Sequence, residues 1–235
     1  MATVKPQGWV HAALGMGSTK PSAPILNNYV FFFASAPLNY LAHLYFSAPT
    51  PLAWAGSLMG DFVKGPVPED LPDELRQHLH LHRWLDTYTR QSPAFQNSRR
   101  RLDPVYRHAR GVLVDVFYDH FLARYWEDYS VQLLGVFAQD VYRGLQSCYD
   151  QLSPALQQQL PHMIEHDWLT SYQRPDVVQR VLLRLEERVE SRFPLAAGFV
   201  ELARYGVFLE KDFCQFMQEV SPLIRVWKRE LGIAC

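Results

Sequence analysis

An all-α fold, a single compact domain of many helices, is what this chain predicts, and three observations predict it. Apolar residues recur at i, i+3 and i+4 along most of its length, strict alternation is nearly absent, and proline and glycine punctuate it at helix-length intervals. Its 235 residues suffice for one sizeable core, and no stretch in the middle has the composition of a linker. With 48% hydrophobic and 20% charged residues, the body of the chain carries no signature of disorder. There is no internal repeat. A formal net charge of −1 gives no global reason to expect nucleic acid or a membrane as partner, so a charged partner has to be met by a local patch. Cys148, Cys214 and Cys235 are odd in number and widely spaced, without CxxC, as expected of packed thiols in a reducing cytoplasm.

Taken in order, the chain opens with a stretch that imitates a signal peptide, "ILNNYVFFFASAP" at 25–37 behind Lys5 and Lys20. Asn27 and Asn28 interrupt its apolar run, Pro37 follows the small-x-small ending, and the run is too short to span a bilayer. Thr50 before Pro51 is a cap with proline at the first helical position, opening "PLAWAGSLM", and Gly60 closes that helix, which leaves Asp61 at a helix end. Pro72, with Asp73 and Glu74 in the first turn, opens the next helix, which runs until Ser92-Pro93 starts another. Further helices are expected at roughly 104–129, 131–151, 154–172, 175–191, 195–209 and 212–230.

Four polar constellations stand out against this apolar background. In "HLHLHRWLD" (78–86), His78, His82 and Asp86 are spaced by four and share one helix face, since residues four apart lie about 40° apart, whereas His80 points the other way. Spacing alone also fits a solvated His–Asp pair. In "VLVDVFYDHFLARYW" (112–126), Asp115 and Asp119 share a face of a segment apolar nearly all round, which marks a buried helix. Carboxylates so placed must be protonated, paired with cations or bound to a metal. His120, rotated by about 100° from Asp119, is close enough to ligate or to move a proton. "GSLMGDFVKG" (56–65) sets Asp61 and Lys64 between glycines, where a cap is the ordinary role for an aspartate, and "NYLAHL" (39–44) puts His43 on an apolar helix, where a satisfied core histidine is the ordinary outcome. Oxygen and imidazole donors from these segments suit Mn²⁺, Fe²⁺ or Mg²⁺ better than a thiolate zinc site. These donors make a metal-dependent hydrolase a credible class, and the absence of GxxxxGK[ST], GxSxG and a cysteine nucleophile context removes the common alternatives to it. "SRRRLDPVYRHARG" (98–111) adds Arg99, Arg100, Arg101, Arg107 and Arg110, a basic patch suited to an anionic substrate or an acidic protein, or else a solvated turn.

Read together, "LNYLAHL", "GDFVKG", "HLHRWLD" and "DVFYDHFLARYW" resemble the bacterial acyl carrier protein phosphodiesterase family, from Leu38 to about Gly232 in length and order, with the specific motifs all before Trp126. The resemblance implies an all-helical, HD-domain-like metal phosphohydrolase. Its divalent cation is preferably Mn²⁺, with Mg²⁺ or Fe²⁺ as alternatives. The implied reaction hydrolyses the phosphodiester between 4′-phosphopantetheine and a serine of holo-acyl carrier protein, a turnover of the prosthetic group of fatty acid biosynthesis. Asp119 followed by His120 reverses the His-Asp order of the HD signature, so ligand assignments do not transfer in order. Family members begin with methionine where this chain has Leu38. Residues 1–37 are therefore expected to be an unstructured or mistranslated upstream extension, and 38–232 the helical hydrolase domain.

Motifs and resemblance together give an expected site. Asp61, His82, Asp86 and Asp119 supply the metal ligands; Asp61, His120 and His43 are the catalytic candidates; Lys64 and Arg83 hold the diester; Arg100 and Arg107 dock the acidic carrier protein. The expected setting is the cytoplasm, with no nucleic acid, no membrane, and an oligomeric state left open. Two rival readings are an HD-like phosphohydrolase acting on a nucleotide or other small phosphodiester, and a non-catalytic helical module that binds a carrier protein.

Overall fold

The computed structural model describes residues 40–188 and 193–233; the expected extension over 1–37, with Leu38 and Cys235, lies outside the described residues. Ten α-helices form it: α1 (Tyr40–Phe46), α2 (Pro51–Met59), α3 (Asp73–Gln91), α4 (Pro93–Arg101), α5 (Arg110–Arg124), α6 (Leu134–Ser147), α7 (Pro154–Glu165), α8 (Trp168–Ser171), α9 (Pro175–Arg188) and α10 (Phe199–Glu230). No strand occurs among the described residues.

Local chemistry sets several of the boundaries as the sequence predicts. Thr50 Oγ1 accepts from Ala53 N and donates to Glu74 Oε1 at 2.6 Å, so one hydroxyl caps α2 and ties it to the start of α3. Ser92 and Ser153 cap α4 and α7 in the same way, each followed by proline. α5 is the central helix: Leu113, Val114, Val116, Phe117, Phe121 and Leu122 are fully buried, and α1, α4, α9 and α10 pack around it. α2 lies against α3 and α6.

Three expected spans differ. The 104–129 helix is α5 flanked by 3-10 turns at Pro104–Ala109 and Trp126–Asp128, with the kink at Arg107, whose φ is 47°. The 154–172 span breaks into α7 and α8 at Asp167, also in the left-handed region at φ 43°. The break expected near 210 is absent, and α10 runs unbroken for 32 residues. Its polar residues there are a docking point: Asp212 accepts from Arg101 Nε at 3.0 Å and from Ser98 Oγ at 3.1 Å, holding α4 against the long helix.

The α2–α3 contact is close because of Gly56, where an added Cβ would lie 2.2 Å from the backbone oxygen of Leu75. Backbone cannot rotate aside as a side chain can. Gly56→Ala is expected to force the helices apart and cost about 2 kcal/mol or more, read as a lower urea midpoint with an unchanged slope.

Candidate metal centre

Three segments far apart in sequence bring imidazoles and carboxylates together. α1 supplies His43, α3 supplies His82 and Asp86, and the turn after α2 supplies Asp61. His43 and His82 are buried, and their rings stack with centroids 3.8 Å apart at 15°. His43 Nε2 is 3.3 Å from Asp86 Oδ1; His82 Nε2 is 3.7 Å from Asp86 Oδ2 and 3.7 Å from Asp61 Oδ1. His43, His82 and Asp86 each offer a donor atom within 4.8 Å of the others.

The orientation of His82 is fixed from behind. Its Nδ1 lies 2.7 Å from the carbonyl oxygen of Ser57, which can only accept, so Nδ1 carries a proton and Nε2 is the ring atom turned toward the carboxylates. Gly60 makes room for this ring, since a Cβ there would fall 2.2 Å from His82 Cγ and Cδ2. Burial, reinforced by His82, lowers the pKa of His43 to about 4, which leaves it neutral. Burial works to raise the pKa of Asp86, but its contacts with His43 and His82 outweigh that and hold it low. Nε2 of both rings thus faces carboxylate oxygens at 3.3 to 3.7 Å, and His43 Nε2 is buried without a hydrogen-bond partner. The donor set fits a divalent ion with mixed nitrogen and oxygen ligands.

α5 divides its two aspartates between different tasks. Asp119 accepts from Leu41 N at 2.9 Å and Ala42 N at 3.0 Å, capping the first turn of α1 with both oxygens. It lies outside the His43–His82–Asp86 group, and burial lifts its carboxyl to about 7 against the opposing pull of those two N–H groups. Asp115, one turn earlier on the same face, lines a cavity of about 20 Å³ together with Asp119, Leu85, Thr89 and Phe216. Burial first, then the charges of Asp86, Asp119 and Asp61, push its carboxyl well up. The i, i+4 pairing of Asp115 with Asp119 was the available signal, but it does not say which of the two meets which neighbour.

The remaining candidates are placed as follows. His120 Nδ1 meets the carbonyl oxygen of Tyr172 at 2.7 Å, and the ring stands outside the His43–His82–Asp86 group. His78 is a core histidine: Nε2 accepts from Ala48 N, and Nδ1 donates to Glu74 O. His80 is exposed, as its position on the helix predicts. Arg83 Nη2 donates to Val63 O at 2.7 Å and braces the loop that carries Asp61, while Lys64 is exposed on that loop. In the basic patch, Arg101 is engaged by Asp212 and lies over the Phe208 ring, whereas Arg100 and Arg107 are exposed. Arg110 begins α5, about 7 Å along the axis from Asp115, so the patch borders the site through that helix.

The described residues form an all-α protein in which His43, His82 and Asp86 are grouped as a candidate metal site. The family model for acyl carrier protein phosphodiesterase matches residues 38–220. The chain belongs to that family. Among similar curated proteins, acyl carrier protein phosphodiesterase of Klebsiella pneumoniae is 27% identical over 187 residues, 79% of this chain and 97% of its own. The proteins of the same name from Enterobacter and from Escherichia coli O157:H7 are each 26% identical, over 76% of this chain and 93% of theirs. No solved structure matches the chain, and the likeness to HD-domain hydrolases rests on the sequence resemblance.

Proposed function

We propose that this protein hydrolyses the phosphodiester joining 4′-phosphopantetheine to the serine of an acyl carrier protein, with a divalent cation, Mn²⁺ by preference, held by His82, Asp86, Asp61 and His43. The observation that carries the reading is Nε2 of His82 facing two carboxylates at 3.7 Å with His43 stacked beside it. The names of the relatives supply the substrate, and the exposed arginines supply a dock for it.

A divalent ion bound there polarises the phosphoryl group and lowers the pKa of a coordinated water. The chain's own residues do the rest. Ser57 O and Gly60 keep the His82 ring in its orientation. Arg83, anchored on Val63 O, and Lys64 bring positive charge to the diester on the Asp61 side. Asp115, whose carboxyl burial and the charges of Asp86, Asp119 and Asp61 push well up, is assigned the proton that the departing serine oxygen takes. His43 is a ligand in this arrangement, and His120 serves the packing of α5 against Tyr172. No described helix is long and apolar enough to cross a membrane.

The test is mass-detected conversion of holo-acyl carrier protein to the apo form with Mn²⁺ and with EDTA, beside bis(p-nitrophenyl) phosphate as a small diester. Loss of the prosthetic group with Mn²⁺ alone is expected. Cleavage of the small diester with no action on the carrier would replace this reading by the small-molecule phosphohydrolase. Arg100→Glu with Arg107→Glu is expected to raise KM for the carrier about tenfold or more at low salt, with little change in kcat and a smaller effect at 0.5 M salt. An unchanged KM would remove the patch from the docking surface.

A further inference from the structure

The stacked imidazoles of the candidate centre come from α1 and α3, and α2 lies between those helices in the chain. Two serine hydroxyls join what stands behind the rings. Ser47, one residue past the end of α1, donates its Oγ–H to the carbonyl oxygen of His43 at 3.0 Å. That carbonyl is among the last four of α1, where a helix has no N–H of its own to offer. With its proton so placed, Ser47 Oγ accepts from the Ser57 hydroxyl of α2, the one hydrogen bond that hydroxyl makes among the described residues. Ser57 O is in turn the carbonyl that lies 2.7 Å from His82 Nδ1. Lys228 Nζ, in the last turn of α10, donates to Ser47 O at 3.0 Å and anchors this serine from a third side. Ser47, Ser57 and Lys228 are all buried.

We infer that Ser47 and Ser57 are positioning residues for the metal centre, their hydroxyls acting as one unit that sets the spacing of α1 and α2 behind His43 and His82. The inference rests on the metal reading proposed above, and it does not depend on which phosphodiester is cleaved. A continuous path of hydrogen bonds runs from the His43 backbone through both hydroxyls to the His82 ring. Distances to a bound ion are held to about 0.2 Å, so a slip between the two helices too small to disturb the core is felt at the ion. Serine to alanine at 47 leaves the buried Ser57 hydroxyl without a partner, and the same change at 57 takes from Ser47 the donor that holds it to α2.

Calorimetric titration with Mn²⁺, with melting in EDTA, tests this on the wild type, Ser47→Ala, Ser57→Ala, the double variant and Ser153→Ala. The last removes the cap of α7, a bond that involves none of these residues. Each single variant at 47 or 57 is expected to bind Mn²⁺ about tenfold more weakly, as loss of a group that orients a ligand does. The double variant is expected to lose about tenfold as well, against the roughly hundredfold of independent sites. Ser153→Ala is expected to melt lower with its Mn²⁺ affinity unchanged. Circular dichroism checks that each variant folds, and the two single variants decide if the double does not. Unchanged affinity at 47 and 57, an additive double variant, or an equal loss in Ser153→Ala would each overturn the inference. A wild type that binds no Mn²⁺ would overturn the metal reading and this inference with it. Affinities as expected in a protein that leaves the carrier intact would overturn the proposed reaction alone.

Discussion

Asp61→Ala and Asp86→Ala are each expected to lower the release of 4′-phosphopantetheine by about 10³-fold or more, since an ion bound with one ligand fewer forfeits several kcal/mol of charge stabilisation. In EDTA, Asp86→Ala is expected to melt modestly lower than the wild type, because His43 and His82 hold the Asp86 carboxyl low in the folded chain and that stabilisation is lost with it. What both variants lose is the gain on adding Mn²⁺, which for the wild type is about 2.7 kcal/mol at a hundred times the dissociation constant. Melting with and without Mn²⁺, run beside the mass assay, checks both parts. A variant that keeps its activity would remove that carboxylate from the site, and one that melts far lower in EDTA would give it a structural task instead.

Asp119→Asn is expected to do the reverse, sparing the response to Mn²⁺ while lowering stability. An amide can accept only one of the bonds from Leu41 N and Ala42 N, and its NH₂ meets the other donor, so a buried N–H goes unpaired. The cost is about 1–3 kcal/mol, or roughly 3–10 °C in Tm at this chain length. The pH dependence has a definite sign. Asp119 titrates at about 7 in the folded chain, against about 3.9 when unfolded. Between these values the folded state binds the extra proton, so the stability that Asp119 contributes is full below about pH 4 and is lost as pH rises through 7. Asparagine has no such slope, and the gap between wild type and variant should narrow from pH 4 to 7. His43, lowered to about 4, pulls the other way but is common to both proteins and cancels in the difference. Loss of Mn²⁺ binding in a folded Asp119→Asn would restore Asp119 as a ligand.

Much of the fold was legible because its signals are local. The Thr50 cap, Pro51, Pro93 and the apolar surface of α5 each act within a turn or two of chain, and each stands where the sequence puts it. The same holds for the opposition of His80 to His82, which needs only the pitch of the helix. The continuity of α10 was not legible, because Glu210, Lys211 and Asp212 resemble a break until Arg101 and Ser98 of a distant helix are seen to meet Asp212.

By itself the sequence determined an all-helical chain, the pairing of His82 with Asp86 on one face, and the presence of two carboxyl groups in the most buried helix. Tertiary structure alone decided that Asp119 caps α1, that His43 and not His120 stacks on His82, and that Ser57 O meets the His82 ring. Spacing fixes the direction of a side chain about its own helix axis. What that direction meets depends on a helix that arrives from elsewhere, as Leu41 does at Asp119 across 78 residues of chain.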